Sequence, residues 1–197
     1  MVVDRKQEDD MTSLQRVEQH LKKTASGTLA DLLKDRVRQR TTFLLLDVSG
    51  SMDAPIGPGH RKIDALRRIV DDLHGDLHGP LVAFGLCTAP RQVAYVDRVP
   101  EPSGTTPLKE GIVFCHEEGA QRIIVVSDGA PDDAGGALEA ARAFKHPIDV
   151  FFVGSDGETC GAAFLRSLCV AAGGQYDDTP LTAPKELATK IRGLLNA

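Results

Sequence analysis

The sequence predicts a doubly wound α/β domain: a mainly parallel central sheet with one antiparallel strand and helices on both faces, preceded by an N-terminal helical extension. Three observations carry this. From residue 41 onward, short apolar runs alternate with amphipathic helical segments, the pattern of a parallel sheet covered on both sides. Two of the runs, Phe43-Leu44-Leu45-Leu46 and Ile123-Ile124-Val125-Val126, are apolar without alternation, as strands buried on both faces must be. Finally, the segment Thr88 to Arg91 between two strand-like runs is too short for a helical crossover. The second of those strands must therefore run antiparallel at one side of the sheet.

Taken in order, residues 11 to 40 read as helix in two pieces broken near Ser26-Gly27. Leu14, Val17 and Leu21, then Leu29, Leu32, Leu33 and Val37, fall at helical spacing. Strands are expected over Thr41 to Asp47, Leu81 to Leu86, Gln92 to Val96, Arg122 to Ser127, Ile148 to Val153 and, briefly, Gln175 to Asp177. Helices are expected over Lys62 to Leu73, Pro107 to Glu117, Asp133 to Phe144, Gly161 to Ala172 and Pro184 to Leu195. The division is a helical extension over residues 1–40 and one domain over 41–197. A length of 197 residues with 42 % apolar content suits one substantial core.

Composition excludes several roles. A net charge of -5, with no basic run interleaved with aromatics, argues against nucleic acid as a partner. Met1 to Asp10 is charged, and no apolar stretch approaches the roughly 20 residues needed to span a bilayer, so a cytoplasmic, membrane-free protein is expected. The four cysteines, Cys87, Cys115, Cys160 and Cys169, form no CxxC pair and read as buried free thiols rather than disulfides or zinc ligands. Six dispersed histidines, at 20, 60, 74, 78, 116 and 146, read as surface or helix-end residues.

The chemistry gathers where the strands end. Directly after the first central strand comes Asp47-Val48-Ser49-Gly50-Ser51-Met52, with a carboxylate and two hydroxyls at i, i+2 and i+4. In open α/β sheets, ligand sites form beyond the carboxyl ends of the strands, where the winding reverses. Loops expected at that edge also carry Gly104-Thr105-Thr106-Pro107-Leu108 and Ser127-Asp128-Gly129. Asp47, Ser49, Ser51, Thr106 and Asp128 together make an all-oxygen donor set without imidazole or thiolate, which suits a hard cation, Mg²⁺ or Mn²⁺. Two carboxylates leave a divalent ion attracted to one more anionic oxygen. The alternative is that Ser49 and Ser51 only cap the loop while Asp47 accepts backbone amides. Asp132-Asp133 reads mainly as a helix cap, and Asp53 and Asp156 are assigned no metal contact.

Asp47-x-Ser49-x-Ser51, the Thr106 of Gly-Thr-Thr-Pro-Leu and the Asp128 of Val-Ser-Asp-Gly resemble the metal-ion-dependent adhesion site of von Willebrand factor A domains, over roughly residues 41 to 197. The resemblance implies a Rossmann-like fold and no catalysis. It also implies that Asp47, Ser49 and Ser51 hold the ion directly or through water, while Thr106 and Asp128 exchange between the two. The usual Gly-Gly-Thr is here Gly104-Thr105-Thr106, and Thr106 is taken as the ligand because Pro107 follows it. The implied partner is a protein that supplies an Asp or Glu carboxylate. Intracellular members of the family often serve as adaptors or recruiting subunits beside AAA+ ATPases or in bacterial stress-response clusters.

Two other functions compete. An aspartate ending the first strand is the nucleophile of some Mg²⁺-dependent phosphohydrolases, but their pattern needs a second aspartate two residues on, where this chain has Ser49. A Gly-x-Ser-x-Gly elbow is absent as well, since Asp47 and Ser51 stand where its glycines belong. The third possibility is a scaffold that binds through the Leu29, Leu32, Leu33 and Val37 stripe.

Overall fold

The computed structural model describes residues 42–77, 79–89, 91–154 and 159–195. The extension expected over residues 1–40 lies outside them, as do His20, His78 and Asp156. The strands are β1 (Thr42–Asp47), β2 (Pro55–Gly57), β3 (His60–Arg61), β4 (Leu81–Phe84), β5 (Val93–Tyr95), β6 (Arg122–Ser127), β7 (Ile148–Phe152) and β8 (Tyr176–Asp177). The helices are α1 (Lys62–Leu73), α2 (Leu108–Glu117), α3 (Ala134–Phe144), α4 (Thr159–Ala172) and α5 (Pro184–Leu195). Six strands form one sheet in the order β5-β4-β1-β6-β7-β8, and β2 with β3 makes a separate hairpin. All neighbours in the large sheet are parallel except β4 and β5, which pair antiparallel with Val82 opposite Tyr95 and Phe84 opposite Val93. A mostly parallel sheet flanked by helices on both faces is therefore what the chain forms.

The pleat of β1 explains the two layers. Phe43 and Leu45 point into one core with Leu108, Ile112, Phe144 and Leu165 of α2, α3 and α4. Leu44 and Leu46 point into the other, with Ile63, Leu66 and Ile69 of α1 and Leu187 and Ile191 of α5. Leu45 and Leu46 are wholly buried, which is why the strand's sequence does not alternate. Truncating such a leucine to alanine costs about 2–5 kcal/mol.

Small departures from the expected boundaries have local causes. β4 stops at Phe84 because Gly85 takes φ +96°, and β5 begins only at Val93 because Gln92 also has positive φ, 55°. The 3-10 turn Gly50–Asp53 and the β2–β3 hairpin are too short to leave a periodic trace. The cysteine expectation holds in part: all four are free, but only Cys115 and Cys169 are buried, while Cys87 and Cys160 are exposed. Asp133 is the N-cap of α3 and accepts from Gly136 N–H at 2.8 Å, so the capping role is met. Among the described residues no helix is long and apolar enough to cross a membrane.

Candidate metal centre

β1 lies between β4 and β6, and the chain winds outward from it in both directions. The carboxyl ends of β1 and β6 thus flank the point where the winding reverses. Asp47 ends β1, and Ser127 ends β6 with Asp128 following. Beyond Asp47 the chain keeps an alternation of sides. Val48 and Met52 are fully buried in the core shared with α1, while Asp47, Ser49 and Ser51 supply the polar cluster.

Hydrogen bonds join these groups. The Asp47 Oδ1 accepts Ser49 N–H at 2.9 Å, and its Oδ2 accepts the Ser127 hydroxyl at 2.5 Å. The Oγ atoms of Ser49 and Ser51 lie 3.0 Å apart, and Ser51 Oγ donates to Asp128 Oδ1 at 2.8 Å. Asp47, Ser49, Ser127 and Asp128 are buried, whereas Ser51 is exposed, so the cluster opens to solvent through Ser51. Ser49 precedes the 3-10 turn but makes no side-chain cap bond, which leaves its hydroxyl to the cluster. Of the alternative reading, only the Asp47-to-amide bond is observed.

The third loop is held by backbone. Gly50 N–H donates to Gly104 O at 3.1 Å, and Ser103 N–H to Val48 O at 2.7 Å. Gly85 and Gly104 make this approach possible: a Cβ on Gly85 would lie 2.8 Å from Ser49 N, and one on Gly104 2.7 Å from Gly85 O. Thr106 accepts Leu108 and Asp132 N–H groups through its carbonyl, and its half-buried hydroxyl has no hydrogen-bond partner among the described residues. Thr105 is exposed, and its hydroxyl turns away to Gln92 Oε1 at 3.2 Å. Asp47, Ser49, Ser51 and Asp128 are therefore drawn together directly, and Thr106 is tied in through the main chain.

Two members of the cluster were not anticipated. Ser127 fixes one oxygen of Asp47. Lys62, the first residue of α1, is only 3 % exposed and places its ammonium 2.7 Å from Asp128 Oδ2. A signal for it exists in the sequence, because a cation opening a helix sits against the positive end of the helix dipole and needs a compensating anion. Nothing in the spacing identifies that anion as Asp128.

Electrostatics follow from burial. Asp47 is pushed up from 3.8 to about 6, first by desolvation and second by the charge of Asp128; bonds from Ser127 and Ser49 partly offset this. Among the described residues no three His, Cys, Asp or Glu side chains gather to hold a metal. This set relies instead on two carboxylates and hydroxyls. In an octahedron with Mg–O bonds of about 2.0–2.1 Å, adjacent ligand oxygens are about 2.8–3.0 Å apart. The Ser49–Ser51 and Ser51–Asp128 separations, 3.0 and 2.8 Å, equal that edge.

No family model matches the chain, and neither does any curated protein. Among solved structures it is similar to proximal thread matrix protein 1 from the mussel byssus in two crystal structures, with TM-scores of 0.55 and 0.53 and 14 % identity in each. The similarity covers 78 % of this chain but only 44–45 % of that one, so the chain spans less than half its length. At this identity the comparison shows a shared α/β fold.

Proposed function

We propose that the domain is a metal-dependent binding module of the von Willebrand factor A type, which holds Mg²⁺ or Mn²⁺ and through it a carboxylate of a protein partner. The observation that carries this reading is the spacing of Ser49 Oγ, Ser51 Oγ and Asp128 Oδ1, oxygens from two loops set at the edge length of an Mg²⁺ octahedron. The same spacing also suits an O–H···O bond, so the cluster can close on itself without an ion and accept one with little movement. Asp47, held on both oxygens, would anchor the first loop, and the unbonded Thr106 hydroxyl supplies a further donor. A bound divalent ion would act as a Lewis acid, with a remaining position for an acidic side chain.

The proposed role is recruitment without turnover, in the cytoplasm, as an adaptor or subunit beside an ATPase of the AAA+ class. Affinity capture with the full chain tests it. Partner capture is expected with Mg²⁺ and lost both in EDTA and in Asp47→Ala. Capture unchanged in the variant would remove the metal from binding, and phosphate-ester turnover that disappears in Asp47→Ala would replace this reading with a hydrolase.

A further inference from the structure

We infer that Lys62 is a built-in counter-cation that competes with the divalent ion for Asp128 and so keeps the site's own metal affinity low until a partner's carboxylate arrives. This rests on the metal-site reading above. Asp128 is shared: its Oδ1 accepts from Ser51, while its Oδ2 accepts from the Lys62 ammonium at 2.7 Å. Both side chains are almost wholly buried, so the two charges meet with little water between them. The lysine is built in, because Ile63, Leu66 and Ile69 of the same helix are fixed in the core and hold the start of α1 beside the end of β6.

Charge arithmetic gives the consequence. Asp47 and Asp128 alone would neutralise a divalent ion, whereas together with Lys62 they leave one net positive charge. Before the ion arrives these three groups sum to one negative charge instead of two, which weakens their pull on it, and once it is bound the excess positive charge attracts an anionic oxygen. Metal and partner carboxylate then bind as a linked pair, each raising the affinity for the other by the same factor. A site with no internal cation would fill with metal on its own.

The test is calorimetric titration of the metal-stripped full chain with Mn²⁺, comparing native protein with Lys62→Met, and thermal unfolding of both in EDTA and in Mn²⁺. Removing a unit charge this close to the ion is expected to tighten Mn²⁺ on the order of a hundredfold. In EDTA the Lys62→Met protein should melt below the native one, because Asp128 loses its counter-ion, and Mn²⁺ should raise its Tm more than that of the native chain. Lys62→Gln keeps a donor toward Asp128 without the charge, and is expected to tighten Mn²⁺ in the same direction if the methionine variant folds poorly. Equal or weaker Mn²⁺ binding by both variants overturns the role of Lys62 and leaves the metal site standing. Absence of saturable binding in native and variant proteins alike overturns the metal site and this inference with it.

Discussion

Asp47 pays an electrostatic penalty in the metal-free fold, and Asp47→Asn measures it. The amide keeps the shape of the carboxylate, can still accept Ser49 N–H, and can donate to Ser127 Oγ, so the substitution removes charge and little else. Burial first, and Asp128 second, raise the carboxyl from 3.8 to about 6. At about 1.36 kcal/mol per pH unit, the ionised form is disfavoured in the fold by about 3 kcal/mol. The native state binds the proton more tightly than the unfolded chain, so stability falls as pH rises between about 4 and 6 and is level above that. In EDTA, urea unfolding should find Asp47→Asn more stable than the native chain by about 3 kcal/mol at pH 8. Between pH 8 and pH 5 the native chain should recover on the order of 1 kcal/mol that the variant does not. A variant no more stable at pH 8, or one whose pH profile parallels the native one, would refute the claim that burial disfavours the Asp47 charge more than its hydrogen bonds offset.

Other consequences are equally open to measurement. Gly85→Ala combines φ +96° with a Cβ 2.8 Å from Ser49 N, and should lose about 2–4 kcal/mol in urea unfolding while weakening Mn²⁺ binding. Asp149 accepts from Arg122 Nε at 2.6 Å and Gln175 N–H at 2.8 Å, nearer the amino ends of the strands. Asp149→Ala should lose about 3–5 kcal/mol yet leave Mn²⁺ affinity unchanged. A thiol reagent at pH 8 should modify Cys87 and Cys160 quickly. Cys115 and Cys169 should react only on unfolding, since burial pushes both thiols up to about 12.

The central strands were legible because double burial writes itself as an unbroken apolar run, and β1 and β6 are such runs. The antiparallel β5 followed from connection length alone. The oxygen cluster was legible in part: the i, i+2, i+4 spacing of Asp47, Ser49 and Ser51 survives because Val48 turns into the core between the first two and Met52 turns into it just after the third. Asp128 could be placed because it directly follows the neighbouring central strand. Lys62 and Ser127 could not be paired from the sequence because their partners are 66 and 80 residues away: the β1–β6 pairing brings Ser127 to Asp47, and the packing of α1 brings Lys62 to Asp128. The β2–β3 hairpin escaped because two and three residues cannot show a period.

The most direct test of the metal reading is anomalous diffraction at the manganese edge from a crystal of the full chain soaked in Mn²⁺. One peak is expected, bonded to Ser49 Oγ, Ser51 Oγ and the Asp128 carboxylate and absent from Asp47→Ala crystals. No peak there at millimolar Mn²⁺ in native and Lys62→Gln crystals alike, with the hydroxyls still hydrogen-bonded to one another, would contradict the metal reading.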